Sequence, residues 1–119
     1  MTKVLYVEHN DDNLYMLKTR LELRGGFEVL AAEDSEKGCR LAATEHPDVI
    51  LMDLTMPLMD GPECLAALRE LLPDSRVLVV SALSDRSTAL KAMMNGAHGF
   101  LLKPFSDQQL VESLQELLA

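Results

Sequence analysis

The sequence predicts a doubly wound α/β domain, with five parallel strands covered by helices on both faces. Two observations predict it. Short apolar runs alternate with longer segments whose apolar residues recur at helical spacing. Two of those runs, Val49-Ile50-Leu51-Met52 and Val77-Leu78-Val79-Val80, are continuously apolar, as central strands buried on both faces are.

The first strand is read at Lys3–Val7. The helix after it carries Leu14, Leu17 and Leu21 on one face, and Gly25-Gly26 can end it through left-handed backbone. Phe27–Ala32 is the second strand, and Asp34 or Ser35 caps the second helix. Val49–Met52 is the third strand, and Leu65, Leu68 and Leu72 mark the third helix. Arg76–Val80 is the fourth strand, followed by a helix that Ser84 or Asp85 caps and Asn95-Gly96 ends. Gly99–Leu102 is the fifth strand. The last helix opens on Ser106-Asp107-Gln108-Gln109, which has the form of a capping box, and carries Leu110, Val111, Leu114, Leu117 and Leu118 as a stripe. Right-handed strand–helix–strand crossovers force a parallel sheet, and the natural topology at this size is the flavodoxin-like order 2-1-3-4-5.

With 119 residues, no linker, no repeat and no low-complexity stretch, residues 1–119 are read as one domain with no output domain in this chain. Hydrophobic residues make up 48% and charged residues 25%, a balance that buries a core. The net charge of −8 argues against direct contact with nucleic acid or an anionic membrane, because both need clustered positive charge. No apolar run approaches the roughly 18 residues of a membrane span, and Met1-Thr2-Lys3 leads straight into a strand rather than a signal peptide. Cys39 and Cys64 lack CxxC or His-containing metal spacing and read as reduced thiols, so a cytoplasmic location is expected. With no Trp, two Tyr and three Phe, stacking on bases or sugars is not expected either.

In an open parallel sheet, ligands bind beyond the carboxyl ends of the strands, near the switch point between strands one and three. Glu8, His9, Asn10, Asp11 and Asp12 follow the first strand, and Asp53 ends the third. Ser81 follows the fourth and Lys103-Pro104 the fifth, at spacings of 28 and 22 residues that each fit one helix plus one strand. Acids, a hydroxyl and an ammonium therefore converge on one edge. Taken singly, Asp11 and Asp12 read as favourable charges at a helix start, Ser81 as a turn residue and Lys103 as a solvated charge. Asp53 stands out, because a carboxylate ending an apolar run is costly unless it is paired or coordinated. The grouping suits phosphoryl transfer: a nucleophilic carboxylate, acids to hold a divalent metal, and Lys103 and Ser81 to hold phosphoryl oxygens.

Four stretches, VLYVEHNDDN (4–13), PDVILMDLTMPLMDG (47–61), VLVVSAL (77–83) and NGAHGFLLKPF (95–105), carry a resemblance over essentially the whole chain. The sequence resembles the receiver domain of bacterial two-component response regulators. The resemblance implies that Asp53 accepts a phosphoryl group from a sensor histidine kinase or a histidine phosphotransfer protein. It implies a magnesium site built from Glu8, Asp53 and the backbone carbonyl of Thr55. It further implies that Ser81 and Lys103 hold the phosphoryl oxygens and that the Lys103-Pro104 peptide is cis. Ser81 and Phe100 would form the switch that reshapes the surface of the fourth helix, fifth strand and last helix for a downstream effector. Such a domain is a signalling phosphoacceptor rather than an enzyme, and it has no organic cofactor.

The chain departs from that pattern at His9, where relatives have the second metal-site acid, their direct magnesium ligand. Magnesium prefers oxygen ligands, and imidazole is a poor substitute. Three outcomes stay open: Asp11 or Asp12 reaches the ion, His9 shifts the preference toward manganese or another nitrogen-tolerant metal, or metal binding is weak. The last outcome gives the alternative function, a pseudo-receiver that binds partners without phosphorylation. An aspartyl-phosphate phosphohydrolase is a further alternative, disfavoured because the nucleophile follows the third strand and Thr55 stands where that class has a second Asp. No long exposed apolar stripe argues for dimerisation.

Overall fold

The continuous apolar runs become the centre of a five-stranded sheet. In the computed structural model, β3 (Val49–Asp53) is buried at every position, and so are Val77 to Ser81 of β4 (Arg76–Ala82). The remaining strands are β1 (Thr2–Val7), β2 (Phe27–Ala32) and β5 (Gly99–Lys103). The strands alternate with α1 (Asp11–Arg24), α2 (Ser35–Glu45), α3 (Gly61–Leu71), α4 (Arg86–Met94) and α5 (Asp107–Leu118). Residues 1–53, 61–82 and 86–119 are described, except for the side chains of 61–65, 82, 86, 88 and 89. The expected caps Ser84 and Asp85 lie outside the described residues.

All four strand pairings are parallel, and the order is β2-β1-β3-β4-β5 as predicted. β1 and β3 are therefore neighbours whose crossovers run in opposite directions, which opens the crevice at their carboxyl ends. Side chains alternate between two core layers. Leu5, Val7, Ile50, Met52 and Val79 pack with Ala42 of α2, Leu68 of α3 and Ala92 of α4. Val4, Tyr6, Leu51, Leu78 and Val80 pack with Leu14, Leu17 and Leu21 of α1 and with Leu110, Val111 and Leu114 of α5.

Local signals account for most helix ends. The side chain of Asn10 accepts the Asn13 N–H at 3.0 Å and starts α1, a cap the sequence reading did not single out. Asp34 rather than Ser35 caps α2, accepting the Lys37 N–H at 2.8 Å. At α5 the capping box forms reciprocally, with Gln109 N–H to Ser106 Oγ at 3.1 Å and Ser106 N–H to Gln109 Oε1 at 2.8 Å. Gly25 (φ 83°) and Gly96 (φ 107°) supply the positive φ needed after α1 and α4, whereas α2 ends on a non-glycine residue, His46 (φ 47°), in left-handed conformation. The stripe of α5 is buried only through Leu114, because Leu117 is half-buried and Leu118 is exposed at the chain end.

Two features differ from the expected picture. The sheet ladder continues further than the apolar runs, pairing Asp53 with Val80, Ser81 with Leu102 and Ala82 with Lys103. Backbone pairing does not depend on side-chain polarity, so the strands extend through the polar edge. Leu90, Met93 and Met94 also form a short exposed apolar patch on the face of α4 opposite its buried Ala92. Among the described residues no helix is long and apolar enough to cross a membrane.

His98 closes the amino end of the β4–β5 pairing. Its Nδ1 accepts the Val77 N–H at 3.0 Å, and its backbone N–H donates to the Val77 carbonyl at 2.9 Å. Burial, helped by the charges of Arg69 and Arg76, holds its imidazole below the usual histidine range. A proton on Nδ1 removes the acceptor that Val77 needs. The folded state thus binds a proton less readily than the unfolded chain, so this contribution is complete above pH about 6.5 and is lost as pH falls below it. Urea midpoints measured from pH 7.5 to 5 should fall more steeply for the wild type than for His98→Leu, which is less stable at pH 7.5 but lacks this titration.

Candidate functional site

The polar strand ends converge where β1, β3 and β5 reach the same edge of the sheet. Asp53, the last residue of β3, is 0% exposed, and Glu8, the residue after β1, is 1% exposed. Strand alternation turns both toward the α1–α5 layer, with Lys103 at the end of β5 on the same side. The Lys103 ammonium lies 2.5 Å from Asp53 Oδ2 and 3.6 Å from Glu8 Oε2. Glu8 and Asp53 are also hydrogen-bonded to each other. Glu8 Oε1 accepts the Asn10 N–H at 3.3 Å, and Glu8 Oε2 accepts the Tyr6 hydroxyl at 3.1 Å.

The charges follow from this packing. Burial first, then the hydrogen bond and charge of Asp53, push the Glu8 carboxyl above its ordinary range, while Lys103 and the Asn10 N–H pull the other way. Burial opposes a charged Lys103, but the hydrogen bond and charge of Asp53, with Glu8 behind them, outweigh it and raise its pKa. Burial and the nearby Glu8 push the Tyr6 phenol up as well, so its hydroxyl keeps its proton and remains a donor. Among the described residues the site therefore sets two acids, one of them pushed toward its protonated form, against a lysine that its partners keep charged.

Of the residues expected from sequence, the structure brings together Glu8, Asp53 and Lys103. Ser81 is buried in β4 beside them along the edge, but its place in the strand turns it toward the α2–α4 layer. Phe100 lies on that same layer, half-buried against its core. The Lys103-Pro104 peptide is cis. Thr55 lies outside the described residues. Asp11 and Asp12 are exposed in the first turn of α1, and the hydrogen bonds and ion pairs of the site run instead through Glu8, Asp53 and Lys103.

His9 sits at the rim. Its side chain is 44% exposed, with Nδ1 3.5 Å from Glu8 Oε1. Among the described residues no group of three or more His, Cys, Asp or Glu side chains converges to hold a metal ion. The pair that does converge, Glu8 and Asp53, still fits a hard cation such as magnesium. That ion needs only one or two carboxylates when water and phosphoryl oxygens complete its shell. Sequence reasoning missed Tyr6, although the period of two in a strand already puts residues 6 and 8 on one face.

Comparison with known proteins gives consistent findings. The family model described as response regulator receiver domain matches residues 4–115. The transcriptional regulatory protein PrrA of Mycobacterium tuberculosis is 37% identical over 98% of this chain and 49% of its own length. The chemotaxis protein CheY of Bacillus subtilis is 31% identical over 98% of this chain and 97% of its own length. The chain thus spans about half the length of PrrA and nearly all of CheY. The crystal structure of a receiver domain protein from Clostridium thermocellum superposes with a TM-score of 0.93 at 28% identity, over 99% of this chain and 94% of that one. The chemotaxis protein CheY4 of Vibrio cholerae superposes with a TM-score of 0.91 at 30% identity, over 99% of each chain.

Removing the Lys103 ammonium from between these acids tests the electrostatic account. Lys103→Met should destabilise the fold at pH 8 by about 1–3 kcal/mol. That is less than the roughly 3–5 kcal/mol of a fully buried pair, because Lys103 is 33% exposed. Urea unfolding should show the deficit shrinking as pH is lowered, because the Glu8 carboxyl, already pushed above its ordinary range, takes up a proton and the two acids no longer repel.

Proposed function

Since the chain belongs to the response regulator receiver domain family, we propose that it accepts a phosphoryl group on Asp53 and signals through the surface built by α4, β5 and α5. The observation that carries this reading is Asp53 itself: fully buried at the carboxyl end of β3, yet ion-paired to Lys103 at 2.5 Å and hydrogen-bonded to Glu8. A carboxylate is placed there at a cost in solvation that packing alone does not repay.

The donor is a phosphohistidine of a sensor histidine kinase or a histidine phosphotransfer protein. An Asp53 carboxylate oxygen attacks phosphorus, so a P–O bond forms and the P–N bond breaks. The electron pair stays on the donor's imidazole nitrogen, which takes up a proton. Lys103 shifts from the carboxylate to a phosphoryl oxygen, and the Ser81 hydroxyl donates to another. Glu8 and Asp53 would hold a divalent cation, which would supply positive charge to the transferring group.

Ser81 and Phe100 share the α2–α4 layer, two residues out of register across the β4–β5 pairing (Val79 with Phe100, Ser81 with Leu102). Drawing Ser81 toward the phosphoryl group frees space on that layer for the ring of Phe100 and changes the surface next to α4. The exposed Leu90, Met93 and Met94 on α4 suit an effector protein or domain, since adaptable methionines recur on binding surfaces. The domain works as a phosphoacceptor in the cytoplasm, with any turnover limited to loss of its own phosphoryl group.

His9 at the rim, with no third metal-ligating side chain beside Glu8 and Asp53 among the described residues, favours a second reading: a pseudo-receiver that binds partners without phosphorylation. Intact-protein mass after incubation with a small-molecule phosphodonor separates the two, with magnesium, manganese or chelator present. The expected result is a phosphoryl adduct that depends on added metal and is absent from Asp53→Asn. A folded wild-type chain that gains no adduct under any condition assigns the protein to the second reading.

A further inference from the structure

The phenol of Tyr6 is a buried polar group that phosphoryl transfer as described leaves without a task. Residue 6 lies in the middle of an apolar strand, V-L-Y-V, and is 2% exposed. Its ring is part of the layer formed by Leu14, Leu17 and Leu110, where Phe would pack as well. The hydroxyl is what Phe lacks. A buried hydroxyl is costly unless it is hydrogen-bonded, and this one donates to Glu8 Oε2 at 3.1 Å.

The other groups around Glu8 hold it less well. The Asn10 N–H and His9 Nδ1 stand 3.3 Å and 3.5 Å from Oε1, Lys103 Nζ stands 3.6 Å from Oε2, and the remaining partner, Asp53, is itself an acid of the cation site. Lys103 is closer to Asp53, at 2.5 Å, and in phosphoryl transfer it leaves for the phosphoryl oxygen. A glutamate side chain has three torsions to fix, whereas the Tyr6 ring is held by the core on a rigid central strand. Partners that orient a ligating side chain commonly change metal affinity by roughly 10–100-fold. With His9 exposed where a second acid would stand, Glu8 carries more of the cation binding, so its orientation matters more.

We propose that Tyr6 is a positioning residue: its hydroxyl sets the Glu8 carboxylate to bind the divalent cation used in phosphorylation. This rests on the phosphoacceptor reading for its biological role, but it is tested without phosphorylation. Manganese binding is measured by electron paramagnetic resonance on the wild type, Tyr6→Phe, Glu8→Gln and the double variant, with urea midpoints confirming that each is folded. Tyr6→Phe should weaken manganese binding about tenfold, and the double variant should bind no more weakly than Glu8→Gln alone. Saturating manganese should restore adduct formation in Tyr6→Phe, because orientation and not the nucleophile was lost. Unchanged affinity in a folded Tyr6→Phe overturns the proposal, and so do losses that add in the double variant, since a merely structural role acts independently of Glu8. A wild-type chain that binds no manganese also overturns it. Failure of the phosphoacceptor reading is told apart from this by the mass experiment, which reports the Asp53 adduct rather than the cation.

Discussion

A single ammonium makes this edge of the sheet possible. Two carboxylates, Glu8 and Asp53, are withdrawn from water within hydrogen-bonding distance of each other, an arrangement that burial and like charge both oppose. Lys103 reaches both, and its own proton is secured by the acids it pairs with. The register of β5 on β4 sets this up: Asp53 is level with Val80 and Leu101, so Lys103, paired with Ala82, lies two residues further along on the same face, within reach of the carboxylate. Change that register by one residue and Lys103 turns to the opposite face.

The same alternation divides the chemistry between the two sides of the sheet. Asp53, Glu8, Lys103 and Tyr6 belong to the side packed by α1 and α5, and Ser81 and Phe100 to the side packed by α2, α3 and α4. A phosphoryl group at Asp53 that engages Ser81 therefore acts on both layers. The layer that holds Ser81 and Phe100 also packs against α4, whose outer face carries Leu90, Met93 and Met94.

Around Glu8 the polar contacts are unevenly spread. His9 lies at the rim and Asp11 and Asp12 stay exposed on α1, whereas Tyr6, Asn10 and Lys103 all bear on the buried Glu8 carboxylate. His9 adds no further carboxylate to an edge where, among the described residues, two buried acids already face one lysine. It leaves Glu8 and Asp53 as the described side chains that suit a hard cation.

The sequence alone determined the ten elements, their order and the placing of Asp53, Ser81 and Lys103 at one edge. These follow from local rules: apolar periodicity, the Ser106–Gln109 capping box, the glycines after α1 and α4, and the few topologies open to alternating strands and helices. It did not reveal that the strands run on through the polar residues, because ladder hydrogen bonds are made by backbone and leave no mark in side-chain pattern. Only the tertiary structure decided which polar groups meet. His98 caps the N–H of Val77 from 21 residues away, Gly38 lets α2 approach so closely that a Cβ would lie 3.0 Å from Val7, and Lys103 reaches Asp53 across 50 residues. Periodicity says which face a side chain occupies. The distance between two side chains on that face is set by how the whole sheet packs, and a sequence read one segment at a time does not contain it.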